Sequence, residues 1–215
     1  MKIKNLLLLL LFSVWFQAFS QNITVGEAGK PLLTTKNPGF IGSPYYNDQY
    51  SVSKLVTNSG KKLDVPSIRY NLLSQQLEFL SQGTVNAVQD SVKTFTLADS
   101  AGKTKEFVKM PAEKEQRFFE VAVPGKVSLL KYYSAKKETA VDFYTKKQTK
   151  TIKKEITWFY GKDGKAEKLG TSTKNVLAAF GDQQDKIKAY LKEKSPELKN
   201  EADLVALFTF YNQQK

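Results

Sequence analysis

The sequence contains neither cysteine nor histidine. Without thiols it forms no disulfide, no thiolate zinc site, no iron–sulfur cluster and no cysteine nucleophile. Without imidazole it has no Ser-His-Asp triad and no histidine-ligated metal. Arginine is nearly as scarce, since Arg69 and Arg117 are the only two among 33 basic residues. Readout of base edges relies on guanidinium forks, so no nucleic-acid partner is expected. Nucleotide-binding loops are missing as well. Gly26, Gly29 and Lys30 have no strand–helix context and read as turn residues. Asp163-Gly164 is flanked by Lys162 and Lys165, which would repel a calcium ion. Ser53-Lys54 is no catalytic pair if it lies on a strand, because neighbours there point to opposite faces. No cofactor is expected. What remains is chemistry on carboxylates, lysine, tyrosine and hydroxyls, or binding without chemistry.

The N-terminus is patterned for export. Lys2 and Lys4 precede an apolar run from Leu6 to Phe16, interrupted by Ser13, and Ala18-Phe19-Ser20 sets small residues before Gln21. That layout predicts a cleaved signal peptide over residues 1–20. The apolar run is shorter than the roughly 18 residues needed to span a bilayer, and no cysteine follows it to carry a lipid. The expected destination is the periplasm, with extracellular release as the alternative and no transmembrane anchor after cleavage. The remaining 195 residues are enough to bury a core without covalent staples.

Residues 21–50 are rich in glycine and proline and read as an irregular lead-in. From 51 to 172 short runs of valine, isoleucine, threonine and aromatics alternate with turn residues. Asn58-Ser59-Gly60, Gln82-Gly83, Asp99 to Gly102, Pro124-Gly125 and Asp163-Gly164 each separate two such runs. The strands are expected at Ser51–Val56, Lys62–Val65, Ile68–Leu72, Leu77–Leu80, Val92–Leu97, Thr104–Met110, Phe118–Val123, Lys126–Tyr133, Val141–Thr145, Ile152–Tyr160 and Ala166–Leu169. Crossover helices are missing between them, so the pairing is expected to be antiparallel. The meander leaves a rolled sheet, a partial barrel or a sandwich open. Within Ile152–Tyr160, alternation places Ile152, Ile156, Trp158 and Tyr160 on a core face and Lys153, Glu155, Thr157 and Phe159 outward.

The pattern changes near Gly170. Thr173, Asp182 and Asn200 each read as the cap of a short helix, ending at Phe180, at Lys194 before Ser195-Pro196, and near the C-terminus. Such helices are too short to stand alone and should pack on the sheet. The expected fold is α+β, an antiparallel β domain at 51–172 with a helical cap at 173–215.

Charge is unevenly spread. Residues 131–174 hold 12 basic and 5 acidic side chains, and Lys146, Lys147, Lys150, Lys153 and Lys154 are the densest cluster. Lysine on strands keeps edges soluble, and a cluster of this kind also suits an anionic glycan or lipid surface. It is the first candidate contact. The second is Tyr45, Tyr46, Arg69 and Asn71, with Arg69 and Asn71 on the strand face opposite Ile68 and Tyr70. Glu106, Glu113, Glu115 and Glu120 alternate with Lys105, Lys109, Lys114 and Arg117 and read as paired surface charges.

Several segments occur in a familiar order: Gly42-Ser43-Pro44-Tyr45-Tyr46-Asn47-Asp48, Ile68-Arg69-Tyr70-Asn71-Leu72, Gln76-Leu77-Glu78-Phe79, Phe118-Phe119-Glu120-Val121 with Gly125 to Lys131, and the tail from Val176 to Asn212. That order resembles small exported proteins of unknown function common in Bacteroidota. The resemblance implies an envelope location and supplies no catalytic residues. The functional expectation is a non-enzymatic binding module that meets an envelope protein or an anionic glycan or lipid surface. Two alternatives stand beside it. A carboxylate-dependent glycan hydrolase needs two carboxylates roughly 5–10 Å apart in a cleft. A small-molecule or lipid carrier needs an apolar barrel with a large cavity.

Overall fold

The computed structural model describes residues 39–89 and 91–214. The expected signal peptide at residues 1–20, and Gly26, Gly29 and Lys30, lie outside the described residues. Eleven strands and three α-helices follow in order: β1 Phe40–Ile41, β2 Ser51–Thr57, β3 Lys62–Asn71, β4 Gln76–Ser81, β5 Thr84–Ala87, β6 Val92–Ala98, β7 Thr104–Ala112, β8 Glu115–Val123, β9 Ser128–Val141, β10 Gln148–Lys162, β11 Lys165–Lys168, α1 Thr173–Ala179, α2 Gln184–Lys194 and α3 Glu201–Gln213. No helix among the described residues is long and apolar enough to cross a membrane.

The strands form one sheet in the order β1-β10-β9-β8-β7-β6-β2-β3-β4-β5, and β11 pairs with both β10 and β7. The fold is α+β as expected, and the sheet closure is barrel-like. Ala166 of β11 meets Ala112 of β7 in a parallel bridge, which joins β7 through β11 into a small barrel. Both alanines are buried, and their small side chains let the backbones approach. Phe119, Leu130 and Phe159 fill the interior, with the Phe119 and Phe159 rings 5.0 Å apart.

β2, β3, β4 and β5 continue from β6 as a rolled lobe. Its core stacks Phe95 on Phe107 at 4.7 Å, with Phe118 and Tyr70 edge-on. Leu63 and Val65 point into this core at odd positions, whereas Ile68 and Tyr70 point in at even ones. A bulge makes the switch. Ser53 pairs Val65 and Ser51 pairs Ile68, so two β3 residues, Pro66 and Ser67, oppose Val52 alone. Proline is tolerated there because the bulge asks no ladder hydrogen bond of it. The turn after β3 then closes the lobe against β9, where Ala135 N donates to Leu72 O at 3.2 Å and Gln75 Nε2 to Tyr133 O at 3.1 Å.

The face assignment within β10 needs correction. Phe159 is buried in the barrel, while Ile156 is 54% exposed. Trp158 and Tyr160 pack against the helices instead. Both faces of this half of β10 are covered, by barrel and by cap, and alternation cannot tell one from the other. Residues 142–145 are also not a strand. They begin the turn of a long hairpin, and β9 runs on to Val141.

The helices start and stop close to the expected positions for partly different reasons. Ser172, one residue before Thr173, caps α1 by accepting from Asn175 N. A 3-10 turn at Gly181–Gln183 precedes α2, so that helix begins at Gln184 rather than after Asp182. Asn200 caps α3, as expected, through Ala202 N and Asp203 N. Leu204, Leu207, Phe208 and Tyr211 of α3 share a core with Val176, Phe180 and Ile187, with Val123 and Leu129 of the sheet, and with Val127 of the β8–β9 turn.

One clamp joins α3 to the β8–β9 turn. Asn212 Oδ1 accepts from Val127 N at 3.2 Å, and its Nδ2 donates to Val127 O at 2.9 Å. Gly125 makes room for it, since a Cβ there would collide with Asn212 Cγ. Asn212→Ala is expected to cost about 2 kcal/mol through two lost hydrogen bonds. Gly125→Ala should reproduce much of that loss by displacing the amide. Thermal unfolding of the two single variants and the double checks this, and the double should fall well short of the sum.

Candidate functional site

The polar centre of the molecule arises from strand parity. On β8, Phe119 and Val121 point into the barrel, so Phe118 and Glu120 point out of it. On β9, Leu130 and Tyr132 point in, and Lys131 and Tyr133 point out. The outer face of the barrel is covered at one end by the rolled lobe and at the other by the helices. Between the two covers runs a strip that neither reaches fully. Glu120 and Lys131 are cross-strand partners in that strip.

Glu120 is 1% exposed. Its Oε2 accepts from Tyr133 Oη at 2.7 Å and from Tyr46 Oη at 3.1 Å. Its Oε1 lies 3.5 Å from Lys105 Nζ and 3.6 Å from Lys131 Nζ. Lys131 also donates to Glu201 Oε1, at the start of α3, at 2.6 Å, and its ammonium lies 5.3 Å from the Trp158 ring. Lys105 reaches Asp99 Oδ2 at 3.8 Å. Asp99 is held in its turn by Ala101 N and Lys103 N on Oδ1. The Tyr46 and Tyr133 rings meet edge-on at 4.9 Å. Burial, then the Glu120 carboxylate, pushes both phenols well above their ordinary pKa. A notch of about 290 Å³ opens on this cluster, walled further by Leu72, Ser100, Lys154 and Ile156.

Glu120 is therefore no surface charge, and this corrects the reading of the acidic cluster. Glu113 and Glu115 do behave as expected, pairing with Arg117 at 3.0 and 3.6 Å on the surface. The missed signal is nonetheless visible in the chain. Phe118 to Val123 holds a single acid and Leu129 to Tyr133 a single base, either side of Pro124-Gly125. A hairpin brings that acid and that base face to face.

The second expected contact divides. Tyr46 belongs to the notch, but Tyr45, Arg69 and Asn71 gather around Glu78, which is 4% exposed. Arg69 Nε and Nη2 lie 3.3 and 3.2 Å from Glu78 Oε2, and Asn71 Nδ2 donates to Oε1 at 2.8 Å. Arg69 also donates to Tyr45 Oη at 2.7 Å and lies over the Tyr45 and Tyr50 rings. Burial chiefly, with Glu78 adding to it, raises the Tyr45 phenol to about 12. Arg69 and Asn71 do lie opposite Ile68 and Tyr70, as expected, but they hold a buried carboxylate of their own chain.

The first expected contact divides too. Beyond the barrel, β9 and β10 continue as an arm, with β1 pairing alongside β10 at Lys150 and Thr151, and every residue from Thr139 to Lys150 is exposed. At about 3.3 Å per residue it projects about 20 Å from Lys136 to its tip. Lys150 and Lys154 lie on one face with Thr139 and Ala135, and there Lys137 and Lys150 flank the Phe40 ring. Lys153 lies on the other face, where Lys136 bridges Glu138 and Glu155 at 3.2 and 2.7 Å. Hydrogen bonding from Lys136 first, and its charge, hold Glu155 below the ordinary carboxylate range. Lys146 and Lys147 are in the tip, beside Phe143 and Tyr144, which are 77% and 89% exposed. Asp142 shapes that tip by accepting from Tyr144 N, Thr145 N and Thr145 Oγ1.

The notch bears on the hydrolase reading. Lys105 touches both Glu120 and Asp99, which bounds their nearest oxygens at about 7 Å, inside the glycosidase range. The donor set argues the other way. A general acid must deliver a proton, and each Glu120 oxygen already has two donors near it. Among the described residues no three His, Cys, Asp or Glu converge as a metal site. No family model matches the chain, and no curated protein or solved structure matches it.

Proposed function

We propose that this chain is a non-enzymatic binding module of the bacterial envelope, exported by its leader, whose β9–β10 arm docks on an anionic lipid surface. The observation that supports the reading is the arm tip. Phe143 and Tyr144 stand in solvent with Lys146 and Lys147 beside them in the tip and Lys150 exposed farther down the arm. Aromatic rings favour the interfacial zone of a bilayer, and lysines near an anionic leaflet contribute about 1 kcal/mol each. Three lysines and one inserted ring sum to about 5 kcal/mol, a dissociation constant slightly tighter than millimolar. Such an arm biases where the protein dwells and lets it leave again. Lys153 is left out of the contact, since Glu155 and Lys136 occupy its face.

Co-sedimentation with vesicles tests the reading. The protein is expected to bind vesicles rich in phosphatidylglycerol at low salt, to bind phosphatidylcholine weakly, and to be released by high salt. Replacing Phe143 and Tyr144 by Ser and Lys146, Lys147 and Lys150 by Gln should weaken binding by more than about tenfold. Unchanged binding of that variant would remove the arm from the reading. Retention on an anionic polysaccharide resin without vesicle binding would replace lipid by glycan.

A further inference from the structure

The notch between the rolled lobe and the helical cap is built beyond what joining the two requires. We propose that it binds a small molecule of monosaccharide size that carries an oxyanion, a carboxylate or a phosphate. Three ammonium groups line it: Lys105, Lys131 and Lys154. Lys131 is taken up by Glu120, Glu201 and the Trp158 ring, whereas Lys105 contacts Glu120 and Asp99 and keeps a third N–H. Lys154 has no carboxylate partner among the described residues and faces the same space. The lining residues carry three positive charges against Glu120 and Asp99, and Glu201, outside the lining, offsets Lys131, which leaves Lys154 as the ammonium without a carboxylate among the described residues. Both carboxylates are engaged by lysine, and Glu120 is enclosed by donors on each oxygen. An arriving anion meets free N–H groups, while an arriving cation meets carboxylates already neutralised.

The rest of the lining suits a hydroxylated body. Tyr46 and Tyr133 turn their protons to Glu120, so their remaining lone pairs can accept from ligand hydroxyls. Leu72 and the half-exposed Ile156 offer an apolar patch for the ring face of a sugar. A volume of about 290 Å³ exceeds what inorganic phosphate alone would fill. A salt-bridge cluster serving only to hold the covers together would have no need of Lys154 or of an open space beside it. The notch shares no residue with the arm tip, so its occupancy does not depend on lipid docking.

Isothermal titration calorimetry of the purified protein with glucose 6-phosphate, glucuronate, inorganic phosphate and glucose tests the site. One charged sugar is expected to saturate a single site at least about tenfold more tightly than inorganic phosphate, with no heat from glucose. Phosphate against carboxylate distinguishes the two sources of the oxyanion. Lys154→Gln is expected to weaken that binding about tenfold at an unchanged melting temperature, because Lys154 is exposed and has no carboxylate partner among the described residues. Ser100→Phe, on an exposed turn at the rim, should block the notch without disturbing the fold. Emission from Trp158 gives a second readout within the cluster. No saturable binding by any of the four, or affinity unmoved by both variants, overturns the proposal. Glucose binding as tightly as the charged sugars overturns its oxyanion, and phosphate binding as tightly as glucose 6-phosphate overturns its sugar-sized body.

Discussion

Glu120→Gln is expected to lower the melting temperature by about 10 °C, the outcome of losing about 3 kcal/mol in a chain of this size. The substitution keeps the shape of the side chain and removes its charge. Lys131 is then left at 6% exposure with Glu201 as its remaining carboxylate. Among the described residues Lys105 keeps only Asp99, at 3.8 Å. A buried pair broken on one side costs about 3–5 kcal/mol, and the low end applies here because both lysines retain a second partner. The double variant Glu120→Gln, Lys131→Met is expected to recover part of the loss, since it removes the stranded charge. Chemical denaturation of the four members of that cycle measures the coupling. Additive losses would show that the two charges do not act as a pair.

The largest loss is expected from Phe208→Ala, about 3–5 kcal/mol. Phe208 is fully buried, and the Phe180 ring lies 4.9 Å away. The three helices have 7, 11 and 13 residues and hold together through this ring and its neighbours. The same core takes in Val123 and Leu129 from the sheet and Val127 from the β8–β9 turn. Loosening α3 therefore reaches Glu201, and through Glu201 the ammonium of Lys131. Circular dichroism and Trp158 emission should report one transition, lowered by more than 10 °C or about that. Two separate transitions would mean that the cap unfolds on its own.

Much of the fold is legible in neighbouring residues. Asn58-Ser59-Gly60, Gln82-Gly83, Pro124-Gly125 and Asp163-Gly164 all lie between paired strands, because glycine adopts backbone angles that other residues resist. Turns without glycine were harder. Gln75, Glu113 and Lys146 take a positive φ at the turns after β3, β7 and β9, and nothing local marks them. That is why Val141 to Thr145 reads as a strand when its last four residues belong to the arm tip. Asn200 could be placed from its side chain alone, whereas α2 starts after a 3-10 turn that no cap residue announces.

The site was less legible. A lysine run in the chain is one patch only if its members share a face. Pairing with β9 sends Lys153 to one side and Lys150 and Lys154 to the other. Arg69 looked available because its partner, Glu78, is nine positions away on the next strand. Glu120 looked like a surface acid because the acids before it alternate with Lys105, Lys109, Lys114 and Arg117 in the chain, and burial is a property of what lies above a strand.

Composition and order alone decided the excluded chemistries, the β-rich α+β class, most of the hairpins and the helical tail. Those properties depend on backbone preferences and hydrophobic period, which act over a few residues. Tertiary contact alone decided that Ala166 meets Ala112 to close the barrel, that two covers leave a notch over Glu120, and that β9 and β10 run on past the barrel as an arm. Each of these joins residues tens of positions apart, and twist, side-chain volume and the burial of charge select among pairings that the local pattern leaves equal.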